Sequence, residues 1–415
     1  MPTTYSPHNP AHSFLGLGIS APILAVLEHL HFTKPTPIQH QSIPAGLAGK
    51  DIIGIAQTGT GKTLAFGIPL IQRLQAMQGG RALILIPTRE LAIQAEEMLQ
   101  KIGRPLGLSA AVLIGGESMT RQIRDLQRHP RVLVATPGRL LDHLQRRTVT
   151  LRDVKILVLD EADRMLDMGF APQINQIMKN LPTEKQTLLY SATMPTGIVR
   201  IATAHMKLPV RVEVAPSGTA AENVEQEIII VNKDGKQALL ETVLQETPGT
   251  ALVFSRTKHG ARKVCQHLNQ KGYGAAEIHS NRSQGQRKEA MDGFRRGKYR
   301  ILVATDIAAR GIDVSHIGIV INFDLPDNSE DYVHRIGRTG RAGREGRAIS
   351  FATPDQRRDI RDIEKLIRKT LKISSRLPAS TPGASNVVAA FNKPYTPFKR
   401  RFGRRFFRKQ GPRTR

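Results

Sequence analysis

The sequence has one cysteine, Cys265, and no tryptophan among its 415 residues. A single cysteine excludes a disulfide within the chain, so the fold cannot depend on the disulfide framework of small secreted domains. Cys265 lies in the helical pattern ARKVCQHL. We expect it to be a small buried apolar residue rather than a reactive thiol.

Long apolar runs are also missing. No stretch of 18 uninterrupted apolar residues occurs, so we expect no membrane-spanning helix. The opening residues, MPTTYSPHNPAHSF, lack a basic segment followed by an apolar one, so we expect no secretory signal. With the single cysteine, these features favour a cytoplasmic protein.

Acidic residues are scarce relative to basic ones. The chain has 35 Asp and Glu against 61 Lys and Arg, a formal net charge of +26. The last acidic residue is Glu364; subtracting the fifteen basic residues that follow it leaves +11 on residues 1–364. Because the body and the tail are both basic, we expect a polyanionic partner, most simply nucleic acid.

Short apolar runs alternate with helical patterns through most of the chain. Many of the runs are continuously apolar, which is typical of parallel strands covered on both faces. The alternation predicts a doubly wound α/β architecture with a parallel sheet. The runs are DIIGIAQ, RALILIPT, RVLVATP, KILVLDEAD and TLLYSAT in the first half, and EQEIIIV, TALVFSRT, RILVATD and GIVINFDLP in the second.

The chain is too long for one ordinary domain, and RVLVATPGR (131–139) echoes RILVATDIAAR (300–310). A stretch rich in Pro, Gly, Ser and Thr separates the two halves, which indicates a linker. We predict an N-terminal extension at 1–13, a first domain at 14–207, a linker at 208–222, a second domain at 223–373 and a basic tail at 374–415.

The segment AQTGTGKT (56–63) stands between a predicted strand and a predicted helix, the context of a phosphate-binding loop. Lys62 would reach the β- and γ-phosphate oxygens, and the Thr63 hydroxyl would bind Mg²⁺. Ala56 stands at the first glycine position of the consensus loop; the alternative is a glycine-rich turn without a ligand. The predicted nucleotide-binding residues here are Thr58, Gly59, Thr60, Gly61, Lys62 and Thr63.

KILVLDEAD delivers acidic residues at the end of a buried strand. Asp160 would hold Mg²⁺, partly through water, and Glu161 would orient and deprotonate the attacking water. HRIGRTGR (334–341) is a second, arginine-rich segment suited to phosphate. We therefore predict one nucleotide site split between two domains, whose cleft closes on nucleotide.

The segment Asp-Glu-Ala-Asp at 160–163 resembles the signature of the DEAD-box ATP-dependent RNA helicases of superfamily 2. The resemblance extends from about Phe14 to about Phe351 and implies two RecA-like domains in tandem. With its basic tail the chain looks closest to the bacterial RhlE-like subgroup. The motifs that carry the resemblance are HFTKPTPIQ (31–39), PTREL (87–91), GG (115–116), TPGR (136–139), SAT (191–193), VFSRT (253–257), ATDIAARGID (304–313) and HRIGRTGR.

The resemblance implies a role for each matched residue. Gln39, Phe32 and Phe14 would bind or support the adenine, Asp313 would contact the ribose, and Gly311 would be a further nucleotide-binding residue. Arg338 and Arg341 would act as arginine fingers, completing a catalytic set with Lys62, Asp160 and Glu161. Asp163, Ser191, Thr193 and His334 would couple hydrolysis to domain movement. The implied RNA contacts are Pro87, Thr88, Arg89, Gly116, Thr136, Gly138, Arg139, Arg256, Thr305 and Asp306. At His31 the family usually has Gly.

The implied RNA contacts are small or main-chain groups that grip phosphates and sugars without reading bases. We therefore predict an RNA-dependent ATPase, with ATP and Mg²⁺ as cofactors, that unwinds short duplexes or remodels RNA–protein complexes. The alternatives are an RNA clamp that does not unwind and a DNA helicase of the same superfamily. We expect a monomeric catalytic core, with RNA-decay or ribosome-assembly proteins as candidate partners.

The end of the chain combines charge with aromatic residues. Residues 391–415 hold ten basic residues and six of the chain's 19 aromatics. Arginines interleaved with Phe can bind single strands through phosphate pairing and stacking. We expect this tail to bind RNA and to be disordered when free; a solubilising tail and a contact with anionic membranes are the alternatives.

Truncation after Ser375 tests the tail. RNA affinity should fall, and its dependence on salt should flatten, because fewer cations would be released from the phosphates. The remaining core should keep its RNA-stimulated ATPase activity. RNA binding measured across a salt series gives the slope, and an unchanged slope would contradict tail binding.

Overall fold

A computed structural model describes residues 13–57, 59–214, 224–306, 317–340 and 345–374. Most of the predicted N-terminal extension, residues 215–222 of the predicted linker and residues 375–415 of the predicted tail lie outside this part. So do four predicted site residues: Thr58, Gly311, Asp313 and Arg341.

The first sheet is built from seven strands. They are β1 (Ile52–Ile55), β2 (Arg81–Leu85), β3 (Ala110–Leu113), β4 (Val132–Ala135), β5 (Val154–Leu159), β6 (Gln186–Ser191) and β7 (Val210–Glu213). The helices packed with it are α1 (Ala21–His29), α2 (Pro37–Leu47), α3 (Lys62–Ala76), α4 (Arg89–Gly103), α5 (Met119–Gln127), α6 (Pro137–Gln145), α7 (Ala162–Asp167), α8 (Ala171–Met178) and α9 (Thr196–His205).

The second sheet also has seven strands. They are β8 (Val224–Ile230), β9 (Ala251–Phe254), β10 (Ala275–Ile278), β11 (Ile301–Ala304), β12 (Ile319–Asn322), β13 (Gly346–Ala352) and β14 (Lys372–Ser374). The described helices of this half are α10 (Lys236–Glu246), α11 (Lys258–Gln270), α12 (Gln284–Arg295), α13 (Ser329–Ile336) and α14 (Arg357–Ile367).

The two sheets have the same topology. Their strand orders are β3-β4-β2-β5-β6-β1-β7 and β10-β11-β9-β12-β13-β8-β14, which become identical when the second sheet is renumbered from its first strand. The strand pairs are parallel in both sheets. The prediction of two RecA-like domains in tandem is confirmed.

The central strands are buried on both faces. Every residue of β1, β4, β9 and β11 is buried, and separate apolar clusters cover the two faces of each sheet. Burying one Leu, Ile or Val side chain contributes roughly 1.5–3 kcal/mol. This double covering is the reason that these strands read as continuous apolar runs in the sequence.

The echo between the halves has a structural counterpart in two arginines. Arg131, just before β4, donates to four main-chain carbonyls within residues 74–80. Arg300, just before β11, donates to three carbonyls within residues 244–249. Arg131 thus satisfies carbonyls at the C-terminal end of α3, and Arg300 satisfies those at the C-terminal end of α10. The last carbonyls of a helix otherwise lack hydrogen-bond donors within the helix.

Strand β7 lies within the predicted linker 208–222. It pairs in parallel with β1 as an edge strand of the first sheet, and Val210 donates its N–H to the Asp51 carbonyl at 2.8 Å. The segment VRVE alternates between apolar and polar residues but is only four residues long and partly exposed. Its pairing with β1, about 160 residues earlier in the chain, establishes it as a strand. We therefore propose that the first domain extends to about residue 214.

The single cysteine and the scarcity of long apolar runs each have a structural counterpart. Cys265 is buried on α11, and burial raises the pKa of its thiol to about 11, as expected of an unreactive cysteine. In the described part of the chain, no helix is both long and apolar enough to cross a bilayer.

Leu208 offers a test of backbone strain. Its φ is +42°, and its side chain is 96% exposed, so burial does not offset the left-handed backbone, which costs about 1–2 kcal/mol. Leu208→Gly should raise the free energy of unfolding by about 0.5–1 kcal/mol, because the greater freedom of unfolded glycine offsets part of the relief. Chemical denaturation measures the change. Leu208→Ala, which keeps the Cβ atom and the strain, is the control; equal stability of the two variants would contradict the prediction.

Candidate functional site

The phosphate-loop segment connects β1 to α3 and ends in left-handed glycines. Gly59 and Gly61 have φ values of +86° and +92°, and a Cβ atom at Gly61 would collide with the side-chain amide of Gln39. Only glycine therefore fits at position 61. Among the described residues, no side chain caps the N-terminus of α3. This leaves main-chain N–H groups and the positive end of the helix dipole suited to phosphate.

Gln39 connects the predicted adenine site to the phosphate loop. Its Oε1 accepts the Thr36 N–H at 2.9 Å, and its Nε2 donates to the Gly61 carbonyl at 3.0 Å. An amide has two donor hydrogens and two acceptor sites, so one of each is left for the edge of a base. Phe14 is buried in the first-domain core and Phe32 packs at its border. The sequence predicted Gln39 and did not reveal its bond to Gly61.

A buried ion pair occupies the centre of the site. Lys62 Nζ lies 3.0 Å from Glu161 Oε1, and the two side chains are 4% and 2% exposed. Burial lowers the pKa of Lys62, but the carboxylates of Glu161 and Asp160 outweigh it and raise the pKa above its usual value. Burial likewise acts to raise the pKa of Glu161, and the cations of Lys62 and Arg164 hold that pKa well below its usual range. Glu161 is therefore ionised at neutral pH.

Asp160 and Thr63 provide oxygen donors beside this pair. Burial raises the pKa of Asp160 to about 6, opposed by Lys62. A buried carboxylate among other acids is a group that a divalent cation would stabilise in its ionised form. The described residues contain no cluster of three or more His, Cys, Asp or Glu suited to a metal. Mg²⁺ needs only one or two carboxylates when phosphates and waters complete its shell, so the donor set fits Mg²⁺ bound with a nucleotide.

The backbone at Glu161 is strained. Glu161 has φ +53° and ψ +48° at the residue that precedes α7. A left-handed conformation is costly for a residue other than glycine and persists where the surroundings enforce it. Here the ion pair with Lys62 and the bond from Arg164 Nη1 to Glu161 Oε2, at 3.4 Å, fix the side chain.

Asp163 joins the acidic segment, residues 160–163, to the end of β6. Its Oδ2 accepts the N–H groups of Ala192 and Thr193 at 3.0 and 2.8 Å, and the Thr193 hydroxyl at 3.0 Å. Its own N–H donates to the Ser191 hydroxyl at 3.1 Å. The structure thus brings together the three first-domain residues predicted to couple hydrolysis to movement.

His334 and Arg338 of the second domain meet this acidic segment. A small pocket is lined by Arg164 of the first domain and by Phe254, Asp306, Asp331, His334, Arg335 and Arg338 of the second. Burial, with the neighbouring Arg164, lowers the pKa of His334 to about 4, although Asp163 and Glu161 oppose the shift. His334 is therefore neutral at pH 7. Arg338 is buried and donates from Nε to the His334 carbonyl at 3.2 Å.

A second contact joins the domains. Arg287 Nη2 on α12 lies 2.8 Å from Glu90 Oε1 on α4, with side chains 11% and 12% exposed. The sequence motifs predicted a role for Arg89 but none for Glu90 or Arg287, although Glu90 lies inside PTREL. A cross-domain pair of this kind leaves no local pattern, because its partners lie on helices of two different domains, about 200 residues apart in the chain.

The predicted RNA contacts of the first domain gather around one loop. A Cβ atom at Gly116 would collide with the Arg89 guanidinium, and Arg139 Nη2 donates to the Glu117 carbonyl at 2.9 Å. Pro87 is buried, and Thr88 and Thr136 precede α4 and α6 as N-cap residues. A Cβ atom at Gly138 would meet no atom within 4 Å, so its surface is open. Arginines and helix N-termini of this kind suit sugar–phosphate backbones.

The predicted RNA contacts of the second domain follow β9 and β11. The side chain of Arg256 is 44% exposed, with Nε 3.2 Å from Asp327 Oδ1. The Thr305 N–H donates to the Ile278 carbonyl at 3.3 Å. The carboxylate of Asp306 is bound by both Nε and Nη2 of Arg335, the latter at 2.7 Å. Arg335 lies inside the motif HRIGRTGR, was not among the predicted site residues, and is buried.

The fold and the site define a class: a two-domain P-loop protein with an acidic strand end beside its phosphate loop. Residues 36–201 match the family model described as DEAD/DEAH box helicase, and residues 235–343 match the helicase conserved C-terminal domain. The chain is 44% identical over 361 residues to the DEAD-box ATP-dependent RNA helicase CshA of Bacillus subtilis (strain 168), covering 86% of this chain and 73% of that protein. The chain belongs to the DEAD-box helicase family.

Solved structures of related proteins agree with this assignment. Dbp5 of S. cerevisiae bound to RNA and ADP BeF3 matches with a TM-score of 0.80 at 29% identity, over 92% of this chain and 100% of that one. Mss116p bound to ssRNA and AMP-PNP matches with a TM-score of 0.81 at 29% identity, over 91% and 81%. The resemblance to the RhlE-like subgroup stays a prediction.

The bond from Gln39 to Gly61 can be tested with Gln39→Glu. The carboxylate cannot donate a hydrogen bond to the Gly61 carbonyl, and the two oxygens would repel each other. Because an unpaired buried polar group costs ~1–3 kcal/mol, ATP affinity should fall about 10–100-fold. Binding of a fluorescent ATP analogue without RNA gives the affinity.

Gln72→Glu is the matched control, because Gln72 also accepts from a main-chain N–H (Ser20) and donates to a carbonyl (Gly18). Its replacement should leave ATP affinity within about twofold, as for a surface site. Equal losses in the two variants would contradict a specific role for Gln39.

Proposed function

We propose that the protein is an RNA-dependent ATPase that separates short RNA duplexes or remodels RNA–protein complexes. It would hydrolyse ATP to ADP and phosphate in the cleft between its two domains. The observation that carries this proposal is the position of His334, which the second domain places against the Glu161–Asp163 segment beside the Lys62–Glu161 pair. One cleft therefore combines a phosphate loop, an ionised carboxylate and the arginine-rich segment.

The residues of the first domain have separate tasks. The N–H groups at the start of α3 and the Lys62 ammonium would bind the phosphates, and Gln39 would select adenine. Asp160 and Thr63 would hold Mg²⁺, which when bound supplies positive charge to the phosphate oxygens. Glu161 is ionised while Lys62 pairs with it. Once Lys62 turns to a phosphate, the carboxylate loses the main cation that holds its pKa down and becomes a better acceptor for a proton from water.

The residues of the second domain act only when the cleft is closed. Arg338, and Arg341 outside the described residues, would neutralise charge at the γ-phosphate; such an arginine can be worth about 10³–10⁵ in rate. The Glu90–Arg287 pair and the contact of His334 with the acidic segment would hold the closed arrangement. Dbp5 and Mss116p with RNA and nucleotide analogues match both domains together, which supports this view of closure.

RNA would be bound through its backbone. Arg89, Arg139 and the N-termini of α4 and α6 offer charge and N–H groups rather than base-reading side chains. Contacts with 2′-hydroxyls would favour RNA over DNA. If ATP and RNA both favour closure, each should strengthen the binding of the other by the same factor. A cytoplasmic location and RNA-decay or ribosome-assembly partners belong to the same proposal, as does binding of RNA by the tail.

Glu161→Gln tests the proposed chemistry. The amide keeps the shape of the side chain but cannot take a proton, so RNA-stimulated ATP hydrolysis should fall about 10²–10⁴-fold. Binding of an ATP analogue should persist. Phosphate release and strand separation of a short RNA duplex are the measurements. Glu184→Gln is the control, because Glu184 is exposed and pairs only at the surface with Lys207.

Three outcomes would overturn parts of the proposal. Full hydrolysis by Glu161→Gln would reject the role of this residue. Hydrolysis stimulated by RNA without strand separation would indicate a clamp, and equal stimulation by DNA would indicate a DNA helicase.

A further inference from the structure

The second domain contains a counterpart of the buried ion pair of the first. In the first domain, Lys62 begins α3 and pairs with Glu161, two residues after the end of β5. In the second, Lys236 begins α10 and pairs with Asp324, two residues after the end of β12, with Nζ 2.8 Å from Oδ1. Strands β5 and β12 hold the same place in the two sheet orders.

The loop before Lys236 is not built for phosphate. Five residues separate Ile230 at the end of β8 from Lys236, against six between β1 and Lys62. None of residues 231–235, all of them described, has a positive φ. A 3-10 turn at Lys233–Gly235 leads directly into α10. Without left-handed glycines the main chain cannot form the concave set of N–H groups that cradles a phosphate.

Asp324 instead holds the segment after β9. Its Oδ2 accepts the Arg256 N–H at 3.1 Å and the Ser255 hydroxyl at 3.2 Å. Its main-chain carbonyl accepts from Arg335 Nη1 at 2.6 Å, and Arg335 binds Asp306. Asp324 thus contacts one of the two segments with predicted second-domain RNA contacts directly, at Arg256, and is linked to the other, at Asp306, through Arg335.

Lys236 fixes Asp324 in place. Its side chain is 7% exposed, that of Asp324 is 25% exposed, and its ammonium also donates to the Phe323 carbonyl at 2.8 Å. Burial acts to raise the pKa of Asp324, but Lys236 and the donated hydrogen bonds outweigh it and lower the pKa. Asp324 therefore stays ionised, and removing Lys236 would leave a half-buried charge without its cation.

We propose that Lys236 and Asp324 are positioning residues for RNA. The second domain has a lysine–carboxylate pair at the place of the first domain's pair and uses it to hold the Ser255 hydroxyl and the Arg256 N–H at the RNA-binding edge. The ligand that benefits is the sugar–phosphate backbone of RNA. The inference rests on the proposed function, since it concerns how the second domain binds the RNA that stimulates ATP hydrolysis.

Lys236→Met tests the inference in the full chain. The RNA concentration that half-saturates ATPase stimulation should rise about tenfold, the size of a ~1.4 kcal/mol loss. Binding of a fluorescent ATP analogue without RNA should not change, because the phosphate loop and Gln39 lie on the other domain. If Lys236 only stabilised the fold, its replacement would not change the half-saturating RNA concentration while leaving ATP-analogue binding unchanged.

Two further variants make the test specific. Lys298→Met removes the same charge from the same domain at an exposed position, where Lys298 is 3.6 Å from Glu289; it should change the half-saturating RNA concentration by no more than about twofold. Asp324→Asn keeps the shape of the side chain and should also raise that concentration. The double variant Lys236→Met/Asp324→Asn should be no worse than Lys236→Met alone, because it leaves no unpaired charge.

The outcomes separate the inference from the proposed function. If the unaltered protein shows no stimulation by RNA, the proposed function fails and the inference with it. If RNA stimulates the unaltered protein and Lys236→Met behaves like Lys298→Met, the inference alone is wrong. Equal loss of ATP-analogue binding and RNA stimulation would also overturn it. If Lys236→Met does not fold, the same two measurements on Asp324→Asn decide.

Discussion

The buried pair of Lys62 and Glu161 is the interaction on which the site depends. Both side chains are removed from water, which is costly unless each charge finds its partner. They meet because β1 and β5 are parallel strands of one sheet, so their carboxyl ends open at the same edge. The covered core of the first sheet therefore sets the distance between the phosphate loop and the acidic segment. A ligand that separates Lys62 from Glu161 must offer a new partner to each of the two charges.

The same architecture serves a different purpose in the second domain. Its strand order repeats that of the first, and Lys236 with Asp324 repeats the position of the pair. The loop before Lys236 lacks left-handed glycines, so the repeated charges are left to organise main chain rather than phosphate. In the proposed function, one fold supplies a nucleotide site in the first domain and an edge suited to RNA in the second, and the contacts of Glu90 with Arg287 and of His334 with the acidic segment join the two domains.

Local patterns in the sequence account for much of the fold. The continuous apolar runs predicted the parallel strands, because a strand covered on both faces has no polar side. The glycines and Lys62 predicted the phosphate loop, because left-handed backbone and a terminal lysine leave a short, specific pattern. Strand β7 escaped prediction because VRVE alternates over only four residues, next to a stretch rich in Pro, Gly, Ser and Thr, and its pairing with β1 establishes it as a strand.

Patterns within short segments predicted the parallel strands of both domains, the phosphate loop, the acidic strand end and the family resemblance, because each depends on residues close together in the chain. Which distant charges meet depends on tertiary packing, which pairs Glu90 with Arg287, Asp306 with Arg335 and Lys236 with Asp324. Such pairs depend on strand order, register and domain contact, which bring together residues separated by tens to hundreds of positions. The bond between Gln39 and Gly61 belongs to the same group, since packing of α2 against α3 alone places the amide at the loop.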